Sequence, residues 1–253
     1  QGMKNNLSGN YVLGADIDAS GTANWNDDGS GNKQGFMPIG NDTNSFTGRF
    51  DGLGHTLSGL TIDRPSTDYV GLFGYTQSAT LRNVGLEGGS VTGNNLVGGL
   101  VGYNYSGTIT HSYATGAVTG SGDYVGGLVG ENYNSSTITD SYATGAVTGS
   151  GSYVGGLVGN NAYGTVTASF WDTQTTGQTT SAGGTGKTTA EMKQLATFAG
   201  WDIDDAGGTG AVWRIYDGQT YPLLRGFLAP LTLTPAFNGS GSYSNIAAYA
   251  ETG

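Results

Sequence analysis

Near-identical stretches return along this chain at almost constant spacing, and that periodicity limits the folds open to it more than any other feature. Val97-Gly98-Gly99-Leu100-Val101-Gly102 recurs at residues 125–130 and 154–159, offsets of 28 and 29, and a looser copy, Val70-Gly71-Leu72-Phe73-Gly74, starts 27 residues earlier. Ser112–Gly122 returns unchanged as Ser141–Gly151. Between these blocks lie Thr108-Ile109-Thr110, Thr137-Ile138-Thr139 and Thr165-Val166-Thr167. Each repeat holds three short β-prone pieces separated by Gly, Asn and Ser. Pieces this short cannot enclose a core alone, but stacked copies can, because each strand pairs with its equivalent in the next copy. The expected fold is therefore all-β: a parallel β-solenoid of about 28–29 residues per coil, with coils about 4.8 Å apart.

Stacking turns equivalent positions into ladders. Ile109, Ile138 and Val166 are expected inside the core. Tyr113, Tyr142 and Phe170 form one aromatic ladder, and Tyr69, Tyr124 and Tyr153 another, interrupted by Leu96. Asn104, Asn132 and Asn161 follow the V-G-G-L-V-G pieces and read as structural corner residues, satisfying loop backbone and donating along the stack. The repeated glycines are expected where the chain needs a positive φ or a close backbone approach. Both parities of V-G-G-L-V-G carry apolar residues, so its inward face is not decided by alternation.

Composition fits this reading. Gly supplies 48 of 253 residues and charged residues only 11%, too few for a coiled coil, and the glycines lack the three-residue period of collagen. The net charge of −10 repels phosphate backbones and anionic lipid, so neither nucleic acid nor membrane insertion is expected of this segment. No apolar run approaches a bilayer span. Gln1 opens without a secretion signal, which reads as a piece of something longer. With no cysteine there is no disulfide, Cys-ligated zinc or thiol chemistry.

Four segments are expected: opening strands and a loop (1–45), the solenoid repeats (46–172), a capping segment (173–228), and the start of a following β module (229–253). Within the cap, Thr188 and Glu191 fit a capping box, and Met192, Leu195, Ala196 and Ala199 share a helical face. This predicts one short helix over about 189–199, a small helical cap over the open end of the stack.

The V-G-G-L-V-G-x-N pieces followed by T-I-T-x-S-Y-A-T-G resemble the GLUG repeat of bacterial surface proteins. Phe36–Gly40, Phe46–Gly52 and Gly54–Leu57 look like the stretch preceding such repeats in filamentous-haemagglutinin-like adhesins, and Thr188–Trp201 through Tyr221–Leu224 like a segment that closes the arrays. The likeness spans about residues 7–228. It implies a secreted or bacterial cell-surface β-solenoid segment of a long protein and supplies no catalytic residues. GLUG repeats also accompany secreted peptidases.

Candidate sites are sparse. His55 and His111 lack any paired metal-binding context, and His111 occupies a slot taken by Asp140 and Ala168 in later coils. The clustered carboxylates of solenoid polysaccharide-degrading enzymes are not reproduced: Asp123 and Asp140 do not repeat and no Lys or Arg lies beside them. No catalytic residue, cofactor or metal is expected. Asp202, Asp204 and Asp205 come nearest a Ca2+ set, with Asp27 and Asp28 second, yet without the loop signature a solvated acidic turn is preferred. The Thr-x-Thr triplets form a regular array that could match ice, against the plainer reading that Thr suits exposed strands. Tyr105, Tyr133 and Tyr163 follow successive coils and make a candidate ligand face. The expected role is non-enzymatic: a rigid stalk or binding surface of an adhesin, with a host-cell, matrix or glycan partner. Alternatives are an accessory, carbohydrate-binding module of a secreted peptidase or polysaccharide-degrading enzyme, and, more remotely, a self-associating filament or an ice-binding face.

Overall fold

The computed structural model describes residues 2–206 and 210–226. Residues 229–253, expected to begin a further β module, lie outside the described residues.

The chain winds as a parallel β-solenoid in which each piece of the repeat occupies its own sheet. The T-I-T pieces form six parallel strands in the order Asn10–Val12, Arg49–Asp51, Thr80–Arg82, Thr108–Thr110, Thr137–Thr139, Thr165–Thr167. Their central residues, Tyr11, Phe50, Leu81, Ile109, Ile138 and Val166, stand in direct register. The expected Ile109–Ile138–Val166 ladder is thus the far half of a longer one, and Leu81, Ile109 and Ile138 are fully buried.

A bend decides the parity that alternation left open. Val97–Gly98 and Val101–Tyr105 are separate strands with a turn at Gly99–Leu100. Val97, Leu100 and Val101 are all buried, as are Val125, Leu128 and Val129 in the next coil. Both apolar faces of the motif therefore reach the same core. The glycines permit this through close approach rather than positive φ. A Cβ on Gly98 would lie 2.3 Å from Val101 O and 2.8 Å from Gly130 N. One row of left-handed corners falls instead on Asn83, His111, Asp140 and Ala168, at φ of 44–55°, three of them residue types that tolerate this region. That explains the varying slot of His111 as a corner of the coil.

The Thr/Gly/Ser stretch at 173–187 completes the stack at its C-terminal side. Thr185–Lys187 pairs in parallel with Phe170–Asp172, Ala182 N donates to Val158 O (3.0 Å), and Gly156 N donates to Thr180 O (3.0 Å).

The expected helix over 189–199 does not form. Two single 3-10 turns, Glu191–Lys193 and Leu195–Phe198, are broken by extended Gln194 (φ −104°, ψ 128°). The capping box is present: Glu191 Oε2 accepts Thr188 N at 2.8 Å, and Thr188 Oγ1 accepts Glu191 N at 3.2 Å. Tertiary packing overrides propagation. Met192 and Phe198 are both fully buried, whereas six residues of α-helix would set them about 120° apart around the axis. The break turns both inward, leaving Ala196 and Ala199 exposed.

The position of the cap also differs from the expectation. Met192, Phe198, Trp201, Trp213 and Ile215 form a second apolar cluster with Tyr113 and Tyr142, against which Phe170 packs. The segment thus covers the flank of the column along the aromatic ladder, not its open end. The ladder needs this cover because Ala114 and Ala143 point into the main core, which sends the adjacent tyrosines outward. Tyr142 donates to Pro222 O (2.7 Å), Trp201 Nε1 to Ala168 O (2.7 Å), and Tyr221 to the buried Asp172 carboxylate (2.7 Å).

Candidate functional site: a tyrosine face on the column

Alternation along Val101–Tyr105 sends Asn104 inward and Tyr103 and Tyr105 outward. Asn104 and Asn132 are buried within strands, not at corners as expected. They form a continuous amide chain. Thr76 Oγ1 donates to Asn104 Oδ1, Asn104 Nδ2 to Asn132 Oδ1, and Asn132 Nδ2 to Asn161 Oδ1, each at 2.9 Å. Each second amide hydrogen reaches a backbone carbonyl of the following turn: Gly107 O, Ser136 O and Gly164 O. The amide chain holds the strand bearing the outward tyrosines in register from coil to coil.

Two rows of side chains stand on the outer surface. One holds Tyr75, Tyr103, Glu131 and Asn160; the other holds Gln77, Tyr105, Tyr133 and Ala162. Tyr75 and Tyr103 meet edge-on at 4.8 Å between ring centroids, and Tyr105 and Tyr133 lie 5.8 Å apart. Tyr103 joins the rows, 6.3 Å from Tyr105 and 6.1 Å from Tyr133. At the near corner Tyr69 stacks on Tyr75 (5.7 Å, 14°) and touches Tyr103.

Of the expected ligand face, Tyr105 and Tyr133 are register partners, but Tyr163 is not the third rung. Ala162 pairs with Tyr133. Tyr163 falls on the next left-handed corner (φ 61°), 84% exposed, with its ring edge-on to Tyr133 at 6.0 Å. Tyr69, Tyr75 and Tyr103 are the members that the repeat reading left out. Their signal was the two-residue spacing of Tyr103 and Tyr105, which only the observed register converts into adjacency. The second aromatic ladder divides: Tyr124 and Tyr153 stack at 5.0 Å, while Tyr69 belongs to the tyrosine face.

Glu131 sits half-buried among these rings. Loss of solvent raises its carboxyl above the ordinary range, although Asn160 Nδ2 donates to it at 2.8 Å and opposes the shift. Burial, and then the Glu131 charge, pushes the Tyr103 hydroxyl up as well. At neutral pH the Tyr103 phenol remains a protonated donor. Flat ring faces, phenol donors, one carboxylate and one amide form a surface able to stack against pyranose rings and bond their hydroxyls.

Asp202, Asp204 and Asp205 do not converge on a metal-sized site. Asp202 Oδ2 accepts Val212 N (3.3 Å), Asp204 Oδ1 accepts Ala206 N (2.7 Å), and no cluster of three or more metal-ligating groups occurs among the described residues. Asp27 is paired with Lys33 in the 25–35 hairpin. The threonine triplets lie in register on the T-I-T sheet. His111 lies 3.5 Å from Asp140, and His55 lies 3.2 Å from Asp16.

The fold and this face together define a class: a β-solenoid of short coils with one aromatic outer surface. Residues 93–119 and 121–148 each match the GLUG motif, so the chain carries GLUG repeats. It is 54% identical over 94 residues, 35% of its length, to halomucin of Haloquadratum walsbyi, and 46% identical over 74 residues, 24% of its length, to a Gly-rich membrane protein of Evansella cellulosilytica. It spans only 1% and 9% of those two proteins. A crystal structure named as that of an immunoglobulin A1 protease from Bacteroides ovatus aligns over 85% of both chains, at a TM-score of 0.48 and 17% identity.

Proposed function

We propose that this chain is a non-catalytic, rigid segment of a secreted or surface-displayed protein, and that its tyrosine face is an adhesive surface for saccharide. The carrying observation is the contiguous set Tyr69, Tyr75, Tyr103, Tyr105, Tyr133 and Tyr163 on one side of a column whose register is held by buried asparagines. Rings fixed this way lose little freedom on binding, which favours stacking on extended ligands. The names of its relatives, halomucin and a Gly-rich membrane protein, support a place outside the cell, and the small share of each that it spans supports its being one segment of a much larger chain. The net charge of −10 favours neutral sugars or locally recognised groups over polyanions in general.

The test is a glycan array followed by titration of any hit against Tyr105→Ala and Tyr133→Ala. Binding that falls at least tenfold in both variants supports the reading. Absence of any hit, or hits indifferent to both substitutions, refutes it.

A further inference from the structure

A cavity of about 510 Å3 opens beside Tyr69, at the end of the tyrosine face, within the size range of small-ligand sites. It is lined by two of the nine cationic side chains, Lys4 and Arg64. Most other cations are engaged: Lys33 with Asp27, Arg82 with Asp51, Lys187 with Glu191, and Lys193 and Arg214 over tyrosine rings. Lys4 and Arg64 have no carboxylate partner among the described residues. Lys4 Nζ meets Met37 Sδ at 3.2 Å. Arg64 is aimed by neutral groups alone, with Nε donating to Phe36 O (3.2 Å) and Nη1 to Gln34 Oε1 (2.9 Å). Its Nη2 is shut from solvent without an acceptor.

Asp68 also lines the cavity and offsets one of these two charges, leaving the lining one positive charge in excess. Its Oδ1 accepts from Asn94 Nδ2, Asn95 N and Asn95 Nδ2. A braced guanidinium and an ammonium lining one cavity, in a chain otherwise strongly acidic, make a local site for an anion. Tyr69 links it to the ring surface.

We propose that this cavity takes the carboxylate of an acidic sugar, with the rest of the same saccharide lying across Tyr69, Tyr75 and Tyr103. The inference rests on the saccharide reading of the tyrosine face and adds to it one charged substituent at a defined end. Calorimetric titration of the intact chain with a galactose tetramer whose terminal residue is a galacturonate, and with its carboxyl-reduced, neutral counterpart, separates the two. The acidic tetramer is expected to bind at least tenfold tighter, the scale of one hydrogen bond to a charged group, and to weaken as salt rises. Lys4→Gln together with Arg64→Gln should erase that preference while leaving the neutral tetramer unchanged. Should Arg64→Gln fail to fold, since Arg64 braces residues 34–36, Lys4→Gln alone is expected to weaken the acidic tetramer about threefold or more. Equal binding of both tetramers, or an acid preference that survives the substitutions, overturns the inference and leaves the tyrosine face standing. Binding of neither tetramer by the folded chain overturns both.

Discussion

Replacing Asn132 by Ala removes the middle of the buried amide chain and measures what that chain contributes. Asn132 is fully buried. Its Nδ2 serves Asn161 Oδ1 (2.9 Å) and Ser136 O (3.3 Å), and its Oδ1 accepts from Asn104 Nδ2 (2.9 Å). After the substitution Ser136 O still accepts from Thr165 N, but Asn161 Oδ1 loses its donor and one buried amide hydrogen of Asn104 loses its acceptor. An orphaned buried polar group costs about 1–3 kcal/mol. Asn161 is only partly buried, so the lower half of that range suits it, and the sum is about 3 kcal/mol. For a chain of this size each kcal/mol moves Tm by roughly 2–4 °C, giving a fall of about 6–12 °C. Thermal unfolding followed by circular dichroism reads it directly. Ser152→Ala, at an exposed side chain of the same column, is the control and should shift Tm little. A fall below about 2 °C in Asn132→Ala, or equal falls in the two variants, would refute the view that the asparagines lock the coils in register.

Tyr142→Ala should loosen the flank cap by removing a buried ring stacked on Tyr113 and bonded to Pro222 O; the expected cost is about 3–5 kcal/mol, read as faster proteolysis between residues 188 and 226 than in the coils. Gly126→Ala places a methyl 2.1 Å from Val129 O, whereas Gly21→Ala meets nothing within 4 Å. The first is expected to yield insoluble or unfolded protein and the second to shift stability by no more than about 0.5 kcal/mol, measured by urea unfolding. Asp51 and Asp172 have folded pKa values lowered below 3.8: burial raises them, but Asn83, Leu53 N and Arg82 at Asp51, and Thr189, Tyr221 and backbone N–H groups at Asp172, outweigh it. Their contribution is present above pH 3.8 and is lost as pH falls through the folded values. Glu131 has the opposite sign. Its folded pKa is raised above 4.5, so ionisation costs stability as pH rises past that value, and Glu131→Gln should raise Tm at pH 7 while leaving it little changed at pH 3.5.

The two readings of the glycines and of the cap show where sequence reasoning stops. Gly98 and Gly126 recur visibly, but whether they serve positive φ or close approach depends on which backbone atoms of the next turn lie opposite. Thr188 and Glu191 announce a helix start correctly, yet the turn that follows is broken at Gln194 because Met192 and Phe198 must both enter the aromatic cluster. A residue of one coil cannot report what packs on it from another part of the chain. For the same reason Tyr163, which follows Tyr133 at a plausible offset, gives up its rung to Ala162.

What the one-dimensional chain determined is the periodicity, and with it the parallel solenoid, the internal Ile109–Ile138–Val166 ladder and the shared register of Tyr113, Tyr142 and Phe170, of which the first two stack. Repetition makes those contacts local in kind, because each copy meets its own likeness. Tertiary structure alone decided the contacts without that symmetry: the tyrosine face joined across two rows and a corner, the cavity that Lys4 and Arg64 both line, and the cap laid along the flank. These bring together segments that share no repeat unit, and no spacing along the chain encodes their distance in space.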